Sequence, residues 1–155
     1  MTTVALRFAT QDGIPFILAT ERGPGYASLV GRFEEDEHRA HMADDDWLYL
    51  IGMDAGGDPR GFALLQHRRR RDGSQFLRRI AVVEAGKGFG RPFLSAVIDW
   101  VFADTDADRV RLHVRKINVR ARHVYTSLGF VEDPDAEPEP DSGAMVLRRA
   151  DWPVR

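Results

Sequence analysis

The sequence predicts an α/β protein of the α+β kind, with a mixed, mostly antiparallel central sheet and helices on both faces. Three observations predict it. The elements run strand, two helices, three strands, helix, strand, helix, two strands, which is not the alternating series of a parallel-sheet fold. The run Ala85-Gly86-Lys87-Gly88-Phe89-Gly90-Arg91 stands between an apolar strand and a segment of helical spacing. The length, 155 residues with 43% hydrophobic and 30% charged, suits one domain, 1–155, with a real core.

Each element has a local reason. Val4 to Phe8 alternates weakly and reads as a strand. Asp12 can cap a short helix over Gly13 to Thr20, with Pro15 tolerated in its first turn, and Gly23-Pro24-Gly25 breaks it. A second helix covers Gly31 to Met42, with Phe33, Glu37, Ala40 and His41 on related faces, and Asp44-Asp45-Asp46 ends it. Trp47 to Met53 is a dense strand signal, and the turn Asp54 to Pro59 pairs it with Gly61 to Gln66 as a hairpin. Asp72-Gly73 turns the chain into the strand Gln75 to Val83. Phe89, Phe93, Ala96, Val97, Trp100 and Val101 repeat at helical spacing through the main helix, Arg91 to Ala103. Val110 to Val114 alternates as a buried strand. Asn118 caps a helix whose apolar face is Ala121, Val124, Tyr125 and Leu128, and Gly129 stops it. Phe130-Val131 and Ala144 to Arg148 are the last strands. The acidic, Pro-rich run Glu132 to Gly143 between them is an exposed loop.

Composition excludes several classes of function. A formal charge of −2 gives no global drive toward nucleic acid or an anionic membrane. The absence of cysteine removes disulfides, thiolate metal sites and a thiol nucleophile. No apolar run approaches the ~20 residues of a membrane span. Met1 to Phe8 lacks a basic head with a long apolar run, so a cytoplasmic protein is expected. No His/Asp/Glu cluster has metal-ligand spacing, so no metal is expected.

The glycine run carries the clearest chemical signal. Glycines let backbone N–H groups turn outward and converge on an anion, and the helix start behind them adds unpaired N–H groups and partial positive charge. A phosphorylated ligand is expected there. A P-loop would need Ser or Thr after its lysine, but Lys87 is followed by Gly88. The spacing Gly86, Gly88, Gly90 also departs from a dinucleotide fingerprint, and its strand follows a hairpin rather than opening a βαβ unit.

Two segments together carry a resemblance. Leu77 to Gly90, reading LRRIAVVEAGKGFG, resembles the acetyl-CoA-binding motif of the GNAT (Gcn5-related) N-acetyltransferases. Asn118 to Phe130, with Asn118, Ala121, Tyr125 and Gly129-Phe130, is similar to that family's second motif, and the element order agrees over nearly the whole chain. Ala85 departs from the family's usual Gln or Arg before the glycine loop. The resemblance implies a GNAT fold with its sheet splayed between the fourth and fifth strands, between Val82 and Val110. It implies that Ile80, Ala81, Val82 and Val83 bond the pantetheine arm of acetyl-CoA. It further implies that the amides of Gly86, Lys87, Gly88, Phe89 and Gly90 hold the pyrophosphate. Lys87 and Arg91 read equally as phosphate partners and as solvated charge.

The chemistry then asks for particular groups. A neutral amine must lose a proton, a developing oxyanion needs an N–H donor such as the backbone near Val82, and a departing thiolate needs a proton. Tyr125 matches the family tyrosine and is expected to serve the thiolate. Asn118 is a helix cap to which the resemblance adds a cofactor contact. Glu84 is the candidate base, read equally as a solvated loop carboxylate, with His67, Tyr49 and Asp46 behind it and His123 on the surface. The run His67 to Arg71 reads as a solvated hairpin tip or as an anchor for an acidic partner, and it lacks the interleaved aromatics of nucleic-acid binding. Glu34 to Glu37 and Asp44 to Asp46 read as solvated helix or as attraction for a cationic amine. The sequence therefore predicts an acetyl-CoA-dependent N-acetyltransferase acting on a primary amine of a small molecule or peptide. No nucleic-acid or membrane partner is expected, and a homodimer is implied by the family. The rival is a non-catalytic acyl-CoA sensor on the same fold, against which intact Tyr125 and Asn118 argue.

Overall fold

A computed structural model of the chain describes residues 3–23, 33–68, 72–84 and 86–153. Its strands are β1 (Ala5–Phe8), β2 (Leu48–Met53), β3 (Pro59–Gln66), β4 (Ser74–Val82), β5 (Arg109–Arg115), β6 (Val131–Glu132) and β7 (Ser142–Arg148). Its helices are α1 (Ile14–Glu21), α2 (Glu35–Ala43), α3 (Gly90–Asp104) and α4 (Val119–Ser127). Among the described residues they form one sheet in the order β1-β2-β3-β4-β5-β7-β6. Every neighbouring pair is antiparallel except β4 and β5, which run parallel.

Period-two alternation sorts the strand residues onto two faces. Leu65, Leu77, Val110, Leu112 and Val114 meet Phe93, Leu94, Val97 and Ile98 of α3 in one core. Tyr49, Ile51, Phe62, Leu64 and Ala81 meet Ile17 of α1 in a second, on the other face. Helix α3 lies unusually close to the sheet. A Cβ at Gly52 would fall 2.6 Å from the Phe93 ring, and one at Gly61 would fall 2.8 Å from the Ala81 carbonyl oxygen. Those two glycines are what lets Phe93 rest on the sheet backbone and fixes the start of α3 above the end of β4.

Strand β4 is irregular along both of its edges. Its pairing with β5 runs from Ser74↔Arg109 to Leu77↔Leu112 and then stops, although β4 continues to Val82 and β5 to Arg115. The sheet is therefore splayed between its fourth and fifth strands as expected, but the opening starts after Leu77 and Leu112, and Val110 lies in the paired stretch opposite Gln75 rather than at the splay. Opposite β3, Leu65 pairs Leu77 and Leu64 pairs Arg79, which leaves Arg78 as the extra residue of a bulge.

Element boundaries differ from the sequence reading for local reasons. A 3-10 turn at Gln11–Gly13 precedes α1, and no side chain caps either, so Asp12 is not the cap it was expected to be. Helix α2 begins at Glu35 rather than Gly31, where the Glu34 N–H donates to Glu37 Oε1 at 2.9 Å. An acid in place of Ser or Thr hides that capping signal. The expected break at Pro24-Gly25 and the residues Gly31 and Arg32 lie outside the described residues, as do Arg69 to Arg71 and Ala85. Arg68 corrects the expected solvated tip. It is partly buried, donates from Nη1 to Gln75 Oε1 at 3.3 Å, and sets its guanidinium 5.1 Å from the Trp100 ring centroid. Among the described residues no helix is long and apolar enough to cross a membrane.

Candidate active site

The glycine loop has the backbone its sequence demands. Gly86 and Gly88 adopt φ of +80° and +87°, a conformation that L side chains rarely take. Helix α3 follows directly, with Phe89 as its N-cap and Pro92 in its first turn. The first-turn amides have no intrahelical partner, and the helix dipole adds positive charge there. Gly86, Lys87 and Gly88 are exposed, whereas Phe89 tucks against Phe93 at 5.6 Å between centroids. Arg91 is drawn toward α4, donating to the Ser127 carbonyl at 3.3 Å.

Helix α4 and its cap supply three residues that bear on the site. Asn118 caps it, its side chain accepting the Ala121 N–H at 3.2 Å. Tyr125 is buried at 8% exposure in the α3-side core, its ring 5.7 Å from that of Phe130. Arg120 is the surprise. Its guanidinium lies 3.5–3.6 Å from where a Cβ of Gly86 would be. A cation from α4 thus stands over a loop that carries Ala85 in place of a polar side chain. A contact across this sequence separation leaves no local signal, so the sequence reading passed over Arg120.

On the β4 edge, Ile80 and Val82 are partly buried on the α3 side and Ala81 is buried on the opposite face. Val83 donates its N–H to the Arg60 carbonyl at 2.8 Å, away from the opening. Glu84 follows, exposed, at the wide end of the opening. The strands part several residues earlier, so a carboxylate at Glu84 stands far along the strand from the narrow end.

At that narrow end, on the α1 and α2 face, lies an open cleft of about 440 Å³. Strands β4 and β5 contribute Phe76, Arg78, Arg111 and His113 to it, and the acidic run folds Glu137 and Glu139 over it. His113 Nδ1 is 4.0 Å from Glu139 Oε1, and its ring sits 5.3 Å from that of Phe76. His67 also lines the cleft, with a left-handed φ of 66°. His123 is exposed on α4 and Asp46 lies beside Arg68 near the start of β2; neither lines this cleft.

Beside the cleft runs a buried polar chain. Glu21 and His38 are fully buried. Glu21 Oε2 accepts from Arg79 Nη1 at 3.0 Å, and Glu21 Oε1 is 2.8 Å from His38 Nε2. His38 Nδ1 is 2.7 Å from the Tyr49 hydroxyl, which lies 3.2 Å from His41 Nδ1. With Glu21 as a carboxylate, the chain is satisfied when His38 donates to it from Nε2 and accepts the Tyr49 proton at Nδ1, while His41 donates to the Tyr49 oxygen. Burial, with Glu21 nearby, pushes the Tyr49 phenol well above its ordinary value. Burial first, then His38, holds the His41 imidazole below its ordinary value. Arg79 also lies 4.3 Å from the Phe33 ring centroid, and Phe33 sits 5.5 Å from the Arg78 guanidinium. The chain thus stiffens the wall next to the bulge, and Tyr49, a sequence candidate for base, is committed to it.

Comparison with known proteins bears on this geometry. The family model of the acetyltransferase (GNAT) domain matches residues 14–131. The chain is 28% identical over 100 residues to a spermidine N(1)-acetyltransferase of Vibrio cholerae serotype O1 (strain ATCC 39315 / El Tor Inaba N16961). That match covers 64% of this chain and 58% of the relative's length. The crystal structure of spermidine N-acetyltransferase from Vibrio cholerae in complex with CoA and spermine superposes with a TM-score of 0.81 at 21% identity, covering 96% of each chain. A dodecameric structure of the Vibrio cholerae enzyme in an intermediate state matches with a TM-score of 0.76 at 21% identity, over 95% of this chain and 94% of that one. These structural likenesses establish the fold.

Proposed function

The chain belongs to the GNAT acetyltransferase family, and from that premise we propose that it transfers the acetyl group of acetyl-CoA to a primary amine of a small molecule. The observation that carries the reading is the opening between β4 and β5 with the glycine loop at its wide end. The residues present fit the co-substrate. Beyond Leu77, β4 keeps its pairing with β3 and leaves β5, so an extended arm would lie along Ile80 to Val82 as an added strand does. The amides from Gly86 to Gly90, the start of α3, and the cations of Arg120, Lys87 and Arg91 suit its phosphates. Asn118 flanks the same end.

When bound, acetyl-CoA supplies the activated acetyl group. The chain's own residues manage two protons. A base takes one from the attacking amine, and the Tyr125 hydroxyl gives one to the departing sulfur. Glu84 remains one candidate base. The geometry favours His113, which lines the cleft at the narrow end with Glu139 Oε1 4.0 Å from its Nδ1. Spermidine, the substrate for which the relatives are named, belongs among the first acceptors to try, and their dodecamer makes self-association of this chain an expectation for light scattering.

The test is a thiol-release assay with acetyl-CoA against polyamines, amino acids, aminoglycosides and peptides. Turnover with any amine, lost in Tyr125→Phe, supports the reading. Tight acetyl-CoA binding without any acceptor turnover would return the sensor reading instead.

A further inference from the structure

The cleft at the narrow end holds charges of both signs that do not neutralise each other. Arg111 and Arg78 line it together with Glu137 and Glu139. Yet neither arginine forms an ion pair among the described residues, and Glu139 is engaged by His113 and by the Ser142 hydroxyl at 2.6 Å. Arg111 is the sharper case. Its Nε is buried and has no hydrogen-bond partner, while its guanidinium lies 5.8 Å from the Phe76 ring centroid. With Nε closed off by the fold, a ligand in the cleft meets the Nη end of the guanidinium, whose parallel N–H groups match the two oxygens of a carboxylate.

Resting on the acetyltransferase reading above, we infer that the acceptor is an amine that carries its own carboxylate, held by Arg111 and Arg78, with its amino group toward the Glu137, Glu139 and His113 side. The placement also serves the chemistry. Glu137 and Glu139 attract the ammonium form, and His113 stands on the same side to take the proton that the attacking nitrogen must lose. A polyamine such as spermidine would bring further positive charge against two unpaired arginines. This chain's cleft therefore selects differently from the spermidine enzymes it resembles.

The experiment compares kcat/KM for a chain-length series of amino carboxylates, their matching amides, and spermidine. Wild type, Arg111→Gln, Arg111→Lys and the exposed-site variant Arg78→Gln are assayed alongside, each first checked for an unchanged melting temperature and acetyl-CoA affinity. The expected result is an amino carboxylate preferred over its amide by about 10- to 100-fold, the range of a charge-assisted hydrogen bond. In Arg111→Gln that preference falls toward parity, mainly through KM, and Arg111→Lys recovers part of it. If Arg111→Gln does not fold, Arg78→Gln must reduce the same preference. Amides used as well as carboxylates, or spermidine used best and unaffected by either substitution, would overturn the inference and leave the acetyltransferase reading standing. Absence of acetyl-CoA binding in wild type would overturn both.

Discussion

At the scale of the residue, two side chains are tuned by where the fold puts them. Tyr125 is nearly buried against Phe130, so replacing it with Phe keeps ring, volume and packing and should barely move stability. Only the hydroxyl goes. The proposed interaction with the leaving sulfur would strengthen as charge builds there, so the loss should fall on the chemical step and not on acetyl-CoA affinity. Single-turnover measurements should show a rate lowered by about 10²–10⁴-fold, the usual contribution of a general acid. His41 illustrates the linkage of protonation to folding. Burial, His38, Arg78 and Arg79 depress its folded value below the ordinary 6.5, and Glu37 opposes them. Below that value the unfolded chain binds more protons than the folded one, so His41's contribution is complete above it and is lost as pH falls through the depressed folded value. Denaturant midpoints should drop as pH falls below about 6.5. His41→Gln should flatten part of that drop.

At the scale of the element, the glycine loop and the two ends of α3 carry the tests. Gly88 sits at φ +87° with open space around its Cβ position, so Gly88→Val is penalised by backbone conformation and, on the proposed reading, by bulk where the phosphates would lie. Lys87 is one exposed ammonium, screened by salt. Calorimetric titration with acetyl-CoA should therefore show a larger loss of affinity for Gly88→Val than for Lys87→Ala. The far end of α3 lacks a capping glycine. Arg149 takes that role, donating to the carbonyls of Phe102, Thr105 (2.9 Å) and Ala107. Arg149→Ala should cost about 1–3 kcal/mol in urea denaturation with acetyl-CoA affinity retained. Local signals made the elements readable: Asn118 before an apolar helix face, Gly129 after it, and glycines at a strand-to-helix junction. The partners that matter most were not readable. Arg79 meets Glu21 across 58 residues of sequence, Arg120 reaches Gly86 from another helix, and Arg149 reaches back to α3. Nothing in a single segment encodes such meetings, because they depend on which faces the sheet brings together.

At the scale of the whole molecule, one parting of two strands organises everything. The element order and the pair of strands that part were legible, since hairpin turns and alternation are local and the two motifs bracket the opening, whereas the point where they part lies beyond Val110. The cleft was not, because the Pro-rich acidic run has no periodicity and only the folded chain lays Glu137 and Glu139 over β4 and β5. The parallel pair ends at Leu77 and Leu112, with the glycine loop beyond the wide end of the opening and the charged cleft at its narrow end. A ligand that binds only the folded chain stabilises it by mass action, by about 2.7 kcal/mol at a hundredfold excess over its dissociation constant. The most direct measurement is thus thermal unfolding with acetyl-CoA, ATP and NAD at equal concentration. The opening between β4 and β5 predicts a clear rise in melting temperature with acetyl-CoA and little with the two nucleotides; a rise with ATP or NAD that matches or exceeds that of acetyl-CoA would contradict it.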